Sequence, residues 1–416
     1  LSRTASILAF ACNNWERVAL MKISIIGDCH CGFDYGSERG EDAFLALDEA
    51  VSRSLDADLI IQVGDLFDSR ITRQEVFAKT ARILGKTKGL KTNAKLVGLV
   101  GKAEEDLSAS ALQGIPIVVI HGTHERRSRH LTNPIQALES AGLVIHLHGQ
   151  TAVFDIEGRK VAVHGMSGVP ERYAKDCLLK WNPKPVPGAI NILVFHQSLD
   201  PYVYSPTEPP SLKIEDLPMG FDLFVLGHIH SHDHKLLRGS QLLLTGSLIT
   251  TRVSSSESKQ KKGFWLFDGA AVTFNPLRTQ RTVYSEDFEY KPNIAGVIAD
   301  RLNSILSQPH GLKPIIQLRL RGTVPKGSPP IDLRDLQEKF GAKAILKVSG
   351  GFETEDFAQQ TDLLKALRQS GLSAEEQGIK LLQEGLVQAG SPLKADEIFD
   401  LLVEGSVDEI FGELIK

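Results

Sequence analysis

Five short stretches of this chain carry the residue types that hold metal ions or move protons. They are Asp28-Cys29-His30, Gly64-Asp65, His121-Gly122-Thr123-His124-Glu125, His196-Gln197 and Gly227-His228-Ile229-His230. Carboxylate oxygens and imidazole nitrogens together make a metal-ligand set. A single Asp-x-His pair means little, because Asp after a strand is also ordinary turn chemistry. Repetition changes its weight, since all five stretches follow the same kind of element.

Each stretch closes an apolar run: Lys22 to Gly27, Leu59 to Val63, Ile115 to Ile120, Ile190 to Phe195 and Phe221 to Leu226. Runs without polar alternation read as strands covered on both faces. Alternate residues of an extended segment point the same way, so Asp28 and His30 leave the first strand together. In α/β sheets the ligand site lies outside the carboxyl ends of the strands. Five strands that deliver Asp or His to that edge therefore predict a metal centre.

The remaining pattern sets the frame. With 416 residues the chain is too long for one core and should divide into two or three domains. Hydrophobic residues at 42% and charged residues at 24% suit a globular chain with a sizeable core, and no apolar run is long enough to cross a bilayer. The net charge of −4 means that any nucleic-acid contact must come from local basic patches. Arg126, Arg127 and Arg129 form one such patch beside the metal edge, where cations suit an anion lying between them and the centre. The cysteines give no disulfide framework, and a reducing cytoplasm is expected.

Residues 1–20 hold a short apolar stretch after Arg3 but lack the pattern of an export signal, and no contribution to the site is expected from them. A helix is expected within Asp34 to Leu55, a basic helix after Asp68, a loop and then an amphipathic helix over Gly85 to Gly114, and a Pro-rich loop over Tyr173 to Pro187. His146, His148 and His164 read as structural, and His232 and His234 as solvent-facing. Of the 13 histidines, all but His310 lie at or before His234, which confines the chemistry to the first domain.

The five stretches, in this order, resemble the signature motifs of the calcineurin-like metallophosphoesterases. Within that superfamily, Gly64-Asp65-Leu66-Phe67-Asp68, Phe195-His196-Gln197-Ser198 and Gly227-His228-Ile229-His230 resemble the double-strand-break repair nucleases of the meiotic-recombination-eleven (SbcD-like) family. The resemblance implies an α/β (α+β) fold: a two-sheet sandwich flanked by helices over 21–268, a small α+β capping domain that contacts DNA over 269–350, and a helical tail over 351–416.

It also implies two divalent ions, usually Mn2+. Asp28, His30 and His230 would hold the first, Asp65 would bridge, and Thr123, His196 and His228 would hold the second. Paired cations share the charge on the attacking and leaving oxygens and acidify water. His124 would be no ligand; it would bind the scissile phosphate or protonate the leaving oxygen. The superfamily has Asn where this chain has Thr123, a weaker hard-oxygen donor, so a weaker second ion is expected.

The implied activity is a manganese-dependent DNA nuclease, a 3′ to 5′ exonuclease on duplex ends and an endonuclease on single strands. The implied partners are DNA ends, a coiled-coil ABC-type ATPase (Rad-fifty or SbcC type) and a second copy of the chain. Cytoplasmic or nucleoid localisation goes with them. A small-molecule phosphodiesterase and a non-catalytic DNA-end scaffold are the alternatives. In the tail, Ser373/Glu376 and Ser406/Glu409 read as capping boxes, and the apolar stripe Val407, Ile410, Phe411, Leu414 and Ile415 as a docking face for the ATPase.

Overall fold

A computed structural model describes residues 21–128, 130–203, 211–253, 259–325, 334–354, 374–391 and 393–404. The chain divides into two compact units. The first runs to Ser285 and adds Gln308–Ile316 and Lys343–Ile345; the second holds Glu286–Ser307, Gln317–Ala342 and the residues from Leu346 onward.

The first unit is a mixed α/β sandwich. One sheet has six strands in the order Val272–Pro276, Gly263–Phe267, Ile23–Ile26, Leu59–Gln62, Ile117–Val119 and Ile145–His146. Its last four strands run parallel to one another. The other sheet has seven strands, in the order Asp233–Leu237, Ser240–Leu244, Leu223–Gly227, Ala189–His196, Arg159–Met166, Gln150–Ile156 and Ala94–Val100.

The unbroken apolar runs follow from this layering. Ile23 and Ile25 point into the core between the sheets with Phe154, Val163, Val194 and Val225, while Ile26 points the other way, into a core shared with Phe44, Leu47 and Val51 of the helix Asp42–Ser52. A strand covered on both faces has no place for alternating polar residues. Each fully buried Ile or Phe contributes roughly 1.5–3 kcal/mol. The far face of the second sheet buries Leu193, Phe195, Phe224 and Leu226 against Ala174 and Leu178.

Two sequence expectations fail here. Within Gly85 to Gly114 the expected amphipathic helix is the strand Ala94–Val100, with short 3-10 turns at Gly85–Thr87, Glu104–Asp106 and Ala109–Leu112. It pairs antiparallel with Gln150–Ile156, and its register shifts between Leu96 and Gly98. That bulge breaks the two-residue period and leaves an apolar spacing that imitates a helix. The expected Tyr173–Pro187 loop is instead taken up as far as Trp181 by the helix Glu171–Trp181, with Ala174 and Leu178 buried one turn apart. The prolines start only at Pro183, and the helix stops before them at left-handed Asn182.

The second unit holds most of a three-stranded sheet whose strands are Val283–Glu289, Ile315–Arg321 and Ile345–Gly350. The helix Ile294–Leu306 buries Ile294, Ile298, Leu302 and Ile305, an i, i+4, i+8, i+11 stripe. Farther on, Ala374–Gln388 and Ala395–Glu404 pack on each other. A Cβ on Gly378 would meet the Phe399 ring at 2.5 Å, so this close approach depends on glycine. Ser373, Ser406 and the stripe from Val407 to Ile415 lie outside the described residues. Among the described residues no helix is long and apolar enough to cross a membrane.

Candidate metal centre

The carboxyl ends of the central strands of both sheets deliver the titratable side chains. Gly227 pairs in register with His196, so two neighbouring parallel strands end side by side and present His196 and His228 together. From the other sheet, the amides of Cys29 and His30 both donate to the Asp65 carbonyl at 2.9 Å, which ties the first two strand ends together. His30, Asp65 and His228 all have positive φ, at 52°, 47° and 78°. Non-glycine residues held in the left-handed region are strained, and such strain collects at functional sites.

Three groups of donor atoms result, each with its ligand atoms within 4.8 Å of one another: Asp28, His30 and His230; Asp65, His196 and His228; and His30, Asp68 and His124. In the first, the Nε2 atoms of His30 and His230 face each other at 3.0 Å, and Asp28 Oδ2 is 3.7 Å from His230 Nε2. Both Nδ1 atoms are engaged elsewhere. His30 Nδ1 meets Asp68 Oδ1 at 3.1 Å, and His230 Nδ1 meets Thr251 Oγ1 at 3.0 Å. Two lone-pair nitrogens at that separation need a cation or a shared proton between them.

In the second group, His196 Nδ1 donates to the Val63 carbonyl at 2.8 Å, which leaves the lone pair on Nε2. Nε2 is 3.2 Å from Asp65 Oδ2 but off the line of a hydrogen bond, so this buried nitrogen has no hydrogen-bond partner. Outer N–H groups fixed on a carbonyl or carboxylate, with the inner nitrogens free, are how metal-binding histidines are oriented. Thr123 Oγ1 approaches the same Asp65 oxygen at 3.3 Å. The donor set therefore fits divalent ions.

Charge perturbations agree with a cation-seeking site. Burial pushes Asp28 up to about 6, with Asp65 adding and His196 opposing. Burial also works against a charged Asp65, yet His196, His30 and His124 outweigh it and hold this carboxyl well below the usual range. Burial, reinforced by His30 and Lys262, keeps His230 well below its ordinary value and therefore neutral.

The backbone must come very close to fit these groups. A Cβ on Gly122 would lie 2.1 Å from Asp65 Oδ1, and one on Gly64 (φ +89°) 2.6 Å from His196 Nδ1. Glu125, fully buried, accepts from the amides of Phe67 and Gly122, each at 2.8 Å, and so ties the second and third strand ends together. Burial pushes the Glu125 carboxyl up to about 8. Cys29 and Cys31 flank His30 but point into the core; burial raises Cys31 to about 12, far from a thiolate ligand.

His124 belongs to the third group, beside His30 and outside the two that gather the expected ligands. Its amide donates to Asp65 Oδ1 at 2.8 Å and its Nδ1 meets the Asp68 carbonyl at 2.9 Å, so Nε2 is the nitrogen left for a substrate. It lines two adjoining cavities. One, of about 320 Å³, is floored by His30, Asp65, His228 and His230; the other, of about 660 Å³, is walled by Arg70, Ile71, Arg126 and Glu171.

Sequence reasoning gave no role to Asp68, which orients both His30 and His124. Its signal was the second acidic residue of Gly64-Asp65-Leu66-Phe67-Asp68. Of the three arginines, Arg126 lines the larger cavity and its Nη1 is buried with no hydrogen-bond partner. Arg127 donates to the Thr132 carbonyl within its own loop, and Arg129 lies outside the described residues. His146 and His164 are buried among neutral partners, and His232 stacks on Phe274 with ring centroids 4.1 Å apart.

The chain is similar to known proteins. The chain is 30% identical over 273 residues to the DNA double-strand break repair protein Mre11 of Methanopyrus kandleri, an alignment spanning 60% of this chain and 54% of that protein. It is 26% identical over 321 residues to the protein of that name from Thermoplasma acidophilum, spanning 71% of this chain and 76% of the relative. The Sulfolobus acidocaldarius protein is 27% identical over 323 residues, spanning 73% and 76%. The chain thus matches about half the length of the first relative and three quarters of the other two. Asp28 through His230, the whole edge described above, falls inside the residues 21–232 that match the calcineurin-like phosphoesterase family, and to that family the chain belongs.

Proposed function

We propose that this protein is a metal-dependent DNA nuclease of double-strand-break repair. The observation that carries the reading is the gathering of Asp28, His30 and His230 in one donor group and Asp65, His196 and His228 in another, with Nδ1 of His30, His196 and His230 each held from outside. Two divalent ions, Mn2+ by family resemblance, would be held by those six side chains and Thr123, with Asp65 between them, and would supply charge sharing on the phosphate and acidified water.

The chain's own residues do the rest. His124, oriented by Asp68, places Nε2 at the mouth of the site. There it gives a proton to the leaving sugar oxygen as the P–O bond to it breaks and the water oxygen joins phosphorus. Arg126, which lines the larger cavity, contacts a neighbouring phosphate. Cleavage from duplex 3′ ends and within single strands, a capping region over 269–350 that contacts DNA, a homodimer and an ABC-type ATPase docked on the tail complete the proposal.

Thr123 favours one second reading, a DNA-end scaffold with a weakened second ion, because a hydroxyl replaces an amide carbonyl. End-labelled duplex DNA incubated with Mn2+, with and without the ATPase, tests the proposal. Mn2+-dependent shortening that stops on chelation supports the nuclease. Hydrolysis of a chromogenic diester with intact DNA points to a small-molecule enzyme, and DNA binding with neither hydrolysis points to the scaffold.

A further inference from the structure

Behind the metal edge lies a polar site that the hydrolysis does not use. Arg39 is only 2% exposed. Its Nε donates to Asp42 Oδ2 at 3.3 Å and its Nη2 to the Thr250 carbonyl, but Nη1 is buried with no hydrogen-bond partner. A buried charged donor left without an acceptor is costly, so something should meet it.

Its surroundings are cationic. Arg281 also uses Asp42, through Nε at 2.8 and 2.9 Å to the two carboxylate oxygens, so one carboxylate serves two guanidiniums. Lys262, 4% exposed, donates to the His230 carbonyl at 3.1 Å and to Ser247 Oγ at 2.9 Å. Asp34, whose charge also reaches Arg39, is exposed to water. Arg39, Arg281, Lys262 and Asp42 line a cavity of about 20 Å³ that Leu248 and Ile249 help to close.

We propose that this cavity is a structural anion site for a monatomic halide, chloride in ordinary salt. The volume admits one water-sized particle and is too small for a phosphate or a nucleotide. Water could accept from Nη1 but brings no charge. A halide accepts from Nη1 and supplies the negative charge that the single carboxylate does not.

The site bears on the metal edge through its wall. The Ser247 amide donates to the His230 carbonyl at 3.2 Å, the Leu248 amide to the Asp28 carbonyl at 2.8 Å, and Thr251 meets His230 Nδ1. A halide that fixes the 247–251 segment therefore braces two proposed ligands from behind. The inference stands whether or not the edge cleaves DNA.

Crystals of the full chain grown in sodium bromide test it directly. An anomalous peak within hydrogen-bonding reach of Arg39 Nη1 is the expected result; ordered density there without bromide signal means water and overturns the proposal. In solution, chloride should raise the melting temperature above that in sodium gluconate at equal ionic strength, and the difference should grow with the logarithm of chloride concentration. Equal melting in both salts overturns it. Arg39→Met should lose the chloride-specific increment, and should that variant fail to fold, the bromide experiment on the unaltered chain decides alone.

Discussion

Two groups of histidines share the first unit and are put to opposite uses. At the strand ends, His30, His196 and His230 each engage Nδ1 outward and turn Nε2 toward carboxylates. A few residues away, His121 and His146 bond to each other at 3.0 Å, and His164 is satisfied by Thr151 at 2.9 Å and Asn191 at 3.1 Å. Burial lowers His146 to about 3 and takes His121 well below its ordinary value, so these imidazoles are neutral. The difference lies in the partners. Where lone pairs converge with carboxylates a cation is invited; where the ring nitrogens meet neutral groups, the ring is a polar brace.

Substitutions can break that comparison from either side. The largest effect is expected for Asp65→Ala, which removes a carboxylate of the second donor group whose charge also acts on Asp28 and His30 of the first; calorimetric Mn2+ titration should show binding lost at both sites, and cleavage should vanish with it. His124→Ala should keep Mn2+ binding and lose on the order of 10²- to 10⁴-fold in cleavage rate. A large fall in Mn2+ affinity in that variant would make His124 a ligand and collapse the distinction drawn here.

Asp68→Asn comes next. It keeps the shape but weakens the hold on His30 Nδ1, and a loss of roughly 10- to 100-fold in metal affinity or activity is expected. His146→Leu belongs to the other histidine group and should leave Mn2+ affinity unchanged. It should destabilise the fold by about 1–3 kcal/mol at neutral pH, because His121 Nδ1 and the Ser167 hydroxyl lose a buried partner.

The same variant carries a pH signature. The folded value of His146, about 3, lies below its ordinary 6.5, so its contribution to stability is full above 6.5 and is lost as pH falls toward 3. His146→Leu should therefore flatten the acid side of the stability profile, as measured by urea unfolding across that window. The smallest change is expected for Thr123→Asn, which should lower the Mn2+ concentration at half-maximal activity, since an amide carbonyl is the stronger donor. An unchanged requirement in folded protein would show that the hydroxyl already serves.

Much of the edge was legible because its signal is local. An apolar run that stops at Gly or His and hands over an Asp or His states, within one short stretch, both the strand and what leaves its end; Lys22 to His30 and Phe221 to His230 each do so. The edge strand Ala94–Val100 was not legible, because its bulge hides the period, nor was the helix Glu171–Trp181, which fully buries only Ala174 and Leu178 and packs Cys177 and Trp181 partly against the core.

The amino-acid sequence by itself determined which residues stand at the strand ends and which family they belong to, because strand period and turn chemistry act between near neighbours. Tertiary structure alone decided what those residues face. That Asp68 lies behind His30, that His146 turns to His121 and not to a carboxylate, and that Arg281 meets Asp42 across 239 positions depend on how sheets and helices register and pack. Such contacts join segments with no local pattern in common, so only the folded chain brings their charges close enough to act on one another.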